Sequence, residues 1–136
     1  MRIKLDEGAF APIRAHKTDA GMDLLSPVEV LVPNGGHAII DTGVHVELPQ
    51  GTVGMIKSKS GLNVNHGIVS EGVIDEGYTG GIVVKLYNHS AFPYRVMRGD
   101  KISQLVVIEC LHPDIEIVDE IHGGERGNGG FGSTGR

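Results

Sequence analysis

Apolar residues recur along this chain of 136 residues in short runs, and several runs alternate with polar residues at a period of two. The clearest example is the segment in which Val44, Val46 and Leu48 are interleaved with His45 and Glu47. This alternation is typical of strands that bury one face and expose the other. The runs are IKL, VEVLVP, HAIIDTGVHVELP, GTVGMIK, GGIVVKLYN, YRVMRGDKISQLVVIE and IEIVDE. They predict an all-β domain of many short strands.

Glycine and proline separate these runs, as expected for turns between strands. They do so at Pro27, Pro33–Gly35, Pro49–Gly51 and Gly80–Gly81. No segment keeps a long helical period, and the best helix candidate is a turn or two after Ser60, through GLNVNH. We therefore predict a β-sandwich or β-barrel. One domain over residues 1–122 is expected, followed by a glycine-rich arm over residues 123–136.

The charge of the chain bears on which ligands it can bind. The net charge of -5 argues against general nucleic-acid binding, because no basic stripe exists to displace counterions. A phosphate ligand must instead meet a local cluster of cations or a bound metal ion.

The single cysteine, Cys110, cannot form an internal disulfide, which favours a reducing compartment. No run approaches the roughly 18 residues of a membrane helix, and MRIKLDEG lacks a signal-peptide core, so we expect a cytoplasmic protein.

Conventional catalytic motifs are missing. The segment GNGGFGSTGR has some likeness to a phosphate loop, but GxxxxGK[ST] does not occur. The seven histidines include no HExxH pair, and one cysteine cannot build a zinc deaminase site. No GxSxG elbow supports a Ser–His–Asp triad, although scattered residues could still form one in space.

Four polar segments between the strands carry the candidate chemistry. TDAGMDLLSP contains Asp23, and KSKSGLNVNHG gathers lysines and serines that suit phosphate oxygens. EGVIDEGYTGG brackets Asp75 and Tyr78 with glycines and has the pattern of a tight hairpin. RGDKISQL joins a turn to a strand that carries Lys101 and Gln104. Any one segment alone is typical of a solvated turn, but the four together with the glycine-rich arm indicate a binding site.

The segments AGMDL, SKSGL, GVIDEGY, RGDKISQL and RGNGGFGSTG resemble, in this order, the five motifs of the trimeric dUTPases, the dUTP diphosphatases. They are spread from Ala20 to Gly135, so the resemblance covers nearly the whole chain. It implies a jelly-roll-like β-barrel that assembles as a homotrimer with active sites at the subunit interfaces. It also implies attack of water on the α-phosphorus of dUTP, which yields dUMP and pyrophosphate. This reaction supplies dUMP for thymidylate synthesis and keeps uracil out of DNA.

The resemblance assigns roles around the base and the sugar. Asp75 is expected to polarise the attacking water, take up its proton and contact the 3′-hydroxyl. Tyr78 is expected to pack against C2′ of the deoxyribose and so disfavour UTP. Backbone groups of the segment Gly72, Val73, Ile74 and Asp75 are expected to read uracil, with Val83 on the other wall.

The resemblance also assigns the groups that hold the triphosphate. They are Lys59, Ser60, Gly61, Gln104 and Arg126, with Lys101 nearby. A Mg²⁺ ion chelated by the phosphates, with no direct protein ligand, is expected to neutralise much of their charge. Asp23 resembles an aspartate that acts on this metal through water. It could equally be structural at the trimer centre, and both roles stay open.

In the family, the C-terminal arm closes over the bound nucleotide as a lid. Its glycines allow it to be loose when the site is empty and close-fitting when it is loaded. By resemblance, Phe131 stacks over uracil and Arg126 meets the γ-phosphate. Gly132, Ser133 and Thr134 supply further hydrogen-bond donors.

Some positions depart from the family pattern, and other functions compete. Lys59 and Lys101 stand where arginine is common, and a lysine cannot make a forked phosphate contact. Ser70 and Glu71 stand where glycine or asparagine is common, which bears on uracil selection. The competing functions are a dCTP deaminase, a bifunctional deaminase–dUTPase, a regulatory trimer that senses dUTP, and an oligonucleotide-binding barrel.

Overall fold

The structure is a computed structural model that describes residues 1–129. These residues form ten β-strands and one short α-helix, which confirms the predicted all-β class. The strands β1 to β10 are Arg2–Leu5, Gly21–Leu25, Val30–Val32, His37–Glu47, Thr52–Lys57, Ile68–Val69, Glu71–Ile74, Gly81–Asn88, Tyr94–Val96 and Lys101–Glu109. The helix α1 is Ser60–His66, where the sequence predicted it. In the described part, no helix is long and apolar enough to cross a membrane.

The strands form three antiparallel sheets that share one core. The sheet orders are β1-β4-β8-β6, β2-β10-β5-β7 and β3-β9. Side chains from both four-stranded sheets meet in a single buried cluster, including Ile40 and Leu86 from the first sheet and Ile56 and Leu105 from the second. The two larger sheets therefore pack face to face as a sandwich. Within residues 1–129 they keep free edges and do not close into a hydrogen-bonded barrel.

Strand β4 shows how the alternating sequence produces this packing. Every second residue from Ala38 to Val46 is buried, while the intervening side chains face outward. The sequence alternation therefore correctly predicted which face of β4 contributes to the core. The register between β4 and β8 shifts between Asp41 and His45, which marks a bulge near one end of the pair.

The expectation of a strand at IEIVDE was wrong. Residues 115–120 contain no strand, and Ile115 and Ile117 are 93% and 96% exposed. An alternating sequence provides an apolar face, but a strand also needs a neighbouring backbone to pair with. Within the described part of the chain, no strand pairs with this segment.

The expected hairpin around Asp75 was also wrong in its pairing. Strand β7 pairs with β5, whereas β8 pairs with β4, so the two strands belong to different sheets. Residues 75–80 cross from one sheet to the other, and we call them the intersheet loop. Glycine-rich sequence correctly marked the turn, but it could not show which partner each flanking strand takes.

Candidate active site

Most residues assigned to the triphosphate lie together on the second sheet. Asp23 on β2 is opposite Gln104 on β10, and Gln104 is opposite Lys57 on β5. Lys59 follows the end of β5, and Lys101 begins β10. We call Asp23, Lys59, Lys101 and Gln104 the Asp23 cluster. Three neighbouring strands therefore bring residues from three separate sequence segments to one place.

The carboxylate of Asp23 is the centre of this cluster. Asp23 is only 8% exposed, and its two oxygens accept from different lysines. Lys101 Nζ lies 2.8 Å from Oδ2, and Lys59 Nζ donates to Oδ1. Burial raises the pKa of Asp23, but the hydrogen bonds and charges of Lys101 and Lys59 outweigh it and leave the pKa below its usual value. The ionised aspartate thus forms ion pairs with both lysines that the resemblance assigns to the triphosphate.

The side chain of Gln104 has room because the nearby residue Gly21 has no Cβ. Its Nε2 donates to the carbonyl of Ser58 at 3.0 Å, which ties β10 to the segment before α1. A Cβ at Gly21 would lie 2.0 Å from Gln104 Oε1, so any larger residue there would displace the amide. Ser60 and Gly61 form the exposed first turn of α1 beside this segment. Their hydroxyl and backbone groups are open to a ligand.

Ser70 has a structural role in holding the lysine-bearing segment. It is 4% exposed, and its hydroxyl lies 2.8 Å from that of buried Ser103. Its backbone N–H donates to Ser58 Oγ at 2.9 Å. Glu71 next to it is exposed and accepts from Lys57 Nζ at 2.9 Å. These two departures from the family pattern therefore serve packing and surface charge in this fold.

The residues assigned to the base lie around the intersheet loop. They line a cavity of about 220 Å³, formed by Val73, Ile74, Asp75, Tyr78, Gly81 and Val83. This volume is below the roughly 300–1,000 Å³ of sites that hold whole drug-sized ligands, so it suits part of a ligand, such as one ring. Asp75 is exposed directly after β7. The Tyr78 hydroxyl donates to the carbonyl of Gly81 at 3.0 Å.

The cavity and the Asp23 cluster lie apart within one chain. Glu71, at the start of β7, is opposite Lys57, whereas Ile74 at the other end is opposite Gly54. Asp75 is four residues beyond Glu71, which corresponds to about 13 Å along the strand direction. Lys59 lies past the opposite end of that row. Asp75 and Lys59 of the same chain are therefore too far apart to act on neighbouring phosphates.

Two contacts outside the predicted site hold the intersheet loop. Glu76 Oε2 accepts from the backbone N–H of Gly51 at 2.7 Å. On the other side, His45 Nδ1 lies 2.9 Å from the carbonyl of Thr79. The sequence analysis did not identify His45 or Glu76. Their contacts exist only once strand pairing has brought β4 and the start of β5 next to the loop. The available signals were that His45 is polar within an alternating segment and that Glu76 is charged within the glycine-rich loop.

The remaining assigned residues are near the C-terminus. Arg126 is exposed in a turn, where its carbonyl accepts from the Gly129 N–H at 2.7 Å. Phe131, Gly132, Ser133 and Thr134 lie outside the described residues. Across residues 1–129, no three His, Cys, Asp or Glu side chains are placed to hold a metal ion. Asp23 is the carboxylate of the cluster, and both its oxygens are taken by lysines.

Comparison with known proteins gives a consistent result over nearly the full length. The dUTPase family model matches residues 8–135. The deoxyuridine 5′-triphosphate nucleotidohydrolase of Clostridium acetobutylicum is 42% identical over 135 residues, which are 97% of this chain and 93% of that protein.

Solved structures agree with this match. The dUTPase of Staphylococcus bacteriophage 80alpha with dUPNHPP has a TM-score of 0.92 at 32% identity, covering 99% of this chain and 98% of that one. A mutant dUTPase of phage phi11 of S. aureus, described with a structural Mg(II) ion, has a TM-score of 0.79 at 31% identity over 88% of this chain and 96% of that one. The chain belongs to the dUTPase family.

Proposed function

We propose that this protein hydrolyses dUTP to dUMP and pyrophosphate, with Asp75 as the catalytic base. The observation that carries the proposal is the intersheet loop, which presents an exposed carboxylate beside a ring-sized cavity walled by Tyr78. Family membership supplies the reaction, since the matched relatives are deoxyuridine 5′-triphosphate nucleotidohydrolases. The local geometry supplies the residue for each step.

Asp75 acts on the attacking water. Its carboxylate accepts a hydrogen bond from the water, orients it towards the α-phosphorus and takes up its proton as the new P–O bond forms. The bond from the α-phosphorus to the bridging oxygen then breaks, and pyrophosphate leaves. General-base assistance of this kind contributes about 10²–10⁴ in rate.

The base is read by the free edge of β7. Among the described sheets β7 is an edge strand, so backbone groups that face away from β5 have no ladder partner. Donors and acceptors of Gly72–Asp75 can therefore pair with the edge of uracil. Val83 closes the cavity from the other sheet, and the ring of Tyr78 excludes a ribose 2′-hydroxyl by leaving it without a partner.

The triphosphate is held by the Asp23 cluster together with Ser60 and Gly61. Phosphate oxygens compete with Asp23 for Lys59 and Lys101, so the pairs with Asp23 keep the cations in place until the ligand arrives. Asp23 would meet a Mg²⁺ ion carried by the phosphates through water, since both its oxygens pair with lysines. When bound, such an ion would neutralise phosphate charge and so help pyrophosphate to leave.

Each complete site combines at least two copies of the chain in a homotrimer. The separation of Asp75 from Lys59 within one chain supports a site whose base side and phosphate side come from different copies. Exposed apolar side chains after β10 support self-association, because Leu111, Ile115, Ile117 and Ile121 are almost fully exposed. The arm of residues 123–136 is assigned as the lid that closes over the loaded site.

The function is tested by measuring pyrophosphate release from dUTP with Mg²⁺, beside dCTP, dTTP and UTP. We expect rapid release from dUTP alone, and a loss of about 10²-fold or more in Asp75→Asn with the fold unchanged. Ammonia release from dCTP would instead show a deaminase. Binding of dUTP without cleavage by the wild-type protein would show a sensor rather than an enzyme.

A further inference from the structure

We propose that His45, in its doubly protonated form, is a positioning residue that holds the intersheet loop, so that dUTP turnover falls when the ring loses a proton as the pH rises. The effect on turnover rests on the proposed function, which places Asp75 and Tyr78 of this loop in the active site. His45 touches neither the cavity nor these two side chains. It acts through the backbone of Thr79.

The hydrogen bonds of His45 require protons on both ring nitrogens. Nδ1 lies 2.9 Å from the carbonyl oxygen of Thr79, and Nε2 lies 3.0 Å from Asp6 Oδ2. A carbonyl and an ionised carboxylate can only accept. A neutral imidazole has one N–H and can satisfy one of the two partners, so both bonds exist together only in the imidazolium.

The surroundings of His45 favour the charged ring. The hydrogen bond to Asp6 raises the pKa of His45 above its usual 6.5, the carbonyl of Thr79 adds to the effect, and Lys4 opposes it. Lys4 is opposite His45 in the β1–β4 pair, and its Nζ lies 3.2 Å from Asp6 Oδ1. Gly81, opposite His45 on β8, brings no charge.

The other charged groups near His45 are engaged elsewhere. On β4, Glu47 pairs with Arg2, and Asp41 Oδ1 accepts from the backbone N–H of Gly43. On the loop, Glu76 accepts from the backbone of Gly51. Asp6 is therefore the acidic partner of the ring, and its own pKa is lowered, first by His45 and then by Lys4.

The loop needs this contact because the neighbouring ladder is interrupted. The β4–β8 register shifts between Asp41 and His45, so regular pairing weakens where the loop enters β8. Glu76 fixes the loop near its start, and His45 fixes it near its end. Tyr78 lies between these two points. When the imidazolium loses one proton, the remaining N–H stays on Nε2, which faces the ionised Asp6, the stronger acceptor. Nδ1 then no longer donates to Thr79, and the loop is held less firmly around Tyr78 and Asp75.

The first test is the pH profile of kcat/KM for dUTP in three proteins. These are the wild type, His45→Gln and the control His16→Gln, which alters another His–Asp contact, with Asp19 at 3.2 Å on an exposed loop. We expect the wild type and the control to lose about tenfold as the pH rises through the pKa of His45. His45→Gln should lack this loss and show the lower value throughout. A wild-type profile in His45→Gln would overturn the proposal.

A second variant separates positioning from a general structural role. Asp6→Asn removes the charge that favours the imidazolium, so the fall in kcat/KM should move to lower pH. A merely structural effect would lower activity equally at every pH and leave the profile in place. That result would also overturn the proposal.

A readout without turnover keeps this proposal distinct from the proposed function. In NMR spectra of the wild-type protein, the amide resonances of Thr79, Gly80 and Gly81 should titrate together with the His45 ring. Independent titration would contradict the positioning role even if dUTP is hydrolysed. Joint titration would support it even if the protein proved to bind dUTP without cleaving it.

Discussion

At the scale of single residues, Asp23 is a nearly buried carboxylate that forms ion pairs with two lysines. Sequence reasoning left it with two open roles, one through the metal and one at the trimer centre. Within the chain it forms ion pairs with Lys59 and Lys101, the two lysines that the resemblance places at the triphosphate. This nearly buried carboxylate holds both lysines in place, and in the proposed function the same lysines bind the phosphates.

We predict that Asp23→Asn lowers the free energy of unfolding by about 1–3 kcal/mol at neutral pH, because two lysines lose their anionic partner. The pKa of Asp23 is lower in the folded protein than in the unfolded chain, where it is near 3.8. Its stabilisation is therefore fully present above that pH and is lost as the pH falls through the lower, folded value. The difference between wild type and variant should shrink below about pH 3.8.

Urea unfolding at several pH values measures this difference. Asp114→Asn, at an exposed position outside any strand, is the matched control and should be neutral at every pH. A wild-type stability in Asp23→Asn at pH 7 would show that the lysine pairs contribute nothing to the fold.

The sequence offered clearer signals for the proposed site residues than for the groups that support them. Lys59 and Ser60 lie in a segment whose composition suits phosphate oxygens, and Gln104 was assigned by family resemblance. His45 and Glu76 support the intersheet loop through contacts between residues 34 and 25 positions apart in the chain. No local pattern can indicate such contacts, because they exist only once the strands have paired.

At the scale of elements, the apolar runs predicted the long strands and also the short strands β1, β3 and β9, but not β7. β4 and β8 are long enough for alternation to be seen, and α1 follows its predicted start at Ser60. β7 has four residues and includes a glycine, so its sequence looked like part of a turn. At IEIVDE the periodicity is clear, but the described chain provides no neighbouring strand for pairing.

The junction of β5 and β7 provides an element-scale prediction. A Cβ at Gly54 would lie 2.9 Å from Leu105 Cδ1 and 3.2 Å from Ile74 Cβ. Gly54→Ala should therefore push β7 outward, lower the free energy of unfolding by about 1–3 kcal/mol and reduce kcat, since Asp75 follows Ile74 directly. Urea unfolding and dUTP kinetics measure both effects.

Gly72→Ala is the control for the stability effect. A Cβ there would meet Ile56 at an ordinary 3.5 Å, in the same pair of strands. If both variants were equally stable, close packing at Gly54 would not be what holds β7 in place.

At the scale of the whole molecule, the proposed function divides each site between two copies of the chain. The cavity at the intersheet loop and the Asp23 cluster are at different ends of the β5–β7 pair. The described residues also keep free sheet edges and exposed apolar side chains beyond β10, which the proposed trimer would have room to cover. The sequence could give this arrangement only through family resemblance, because strand patterns carry no information about oligomer number.

Intersubunit complementation tests this arrangement most directly. Asp75→Asn lacks the proposed base, and Lys59→Met lacks a phosphate cation, so each variant alone should have little activity towards dUTP. The two are coexpressed with different affinity tags, and trimers that carry both tags are purified. In a cyclic trimer whose sites pair the loop of one copy with the Asp23 cluster of the next, every mixed trimer contains one unaltered site. We predict recovery of about one third of wild-type pyrophosphate release. Mixed trimers no more active than the two parents would show that each chain builds its own site.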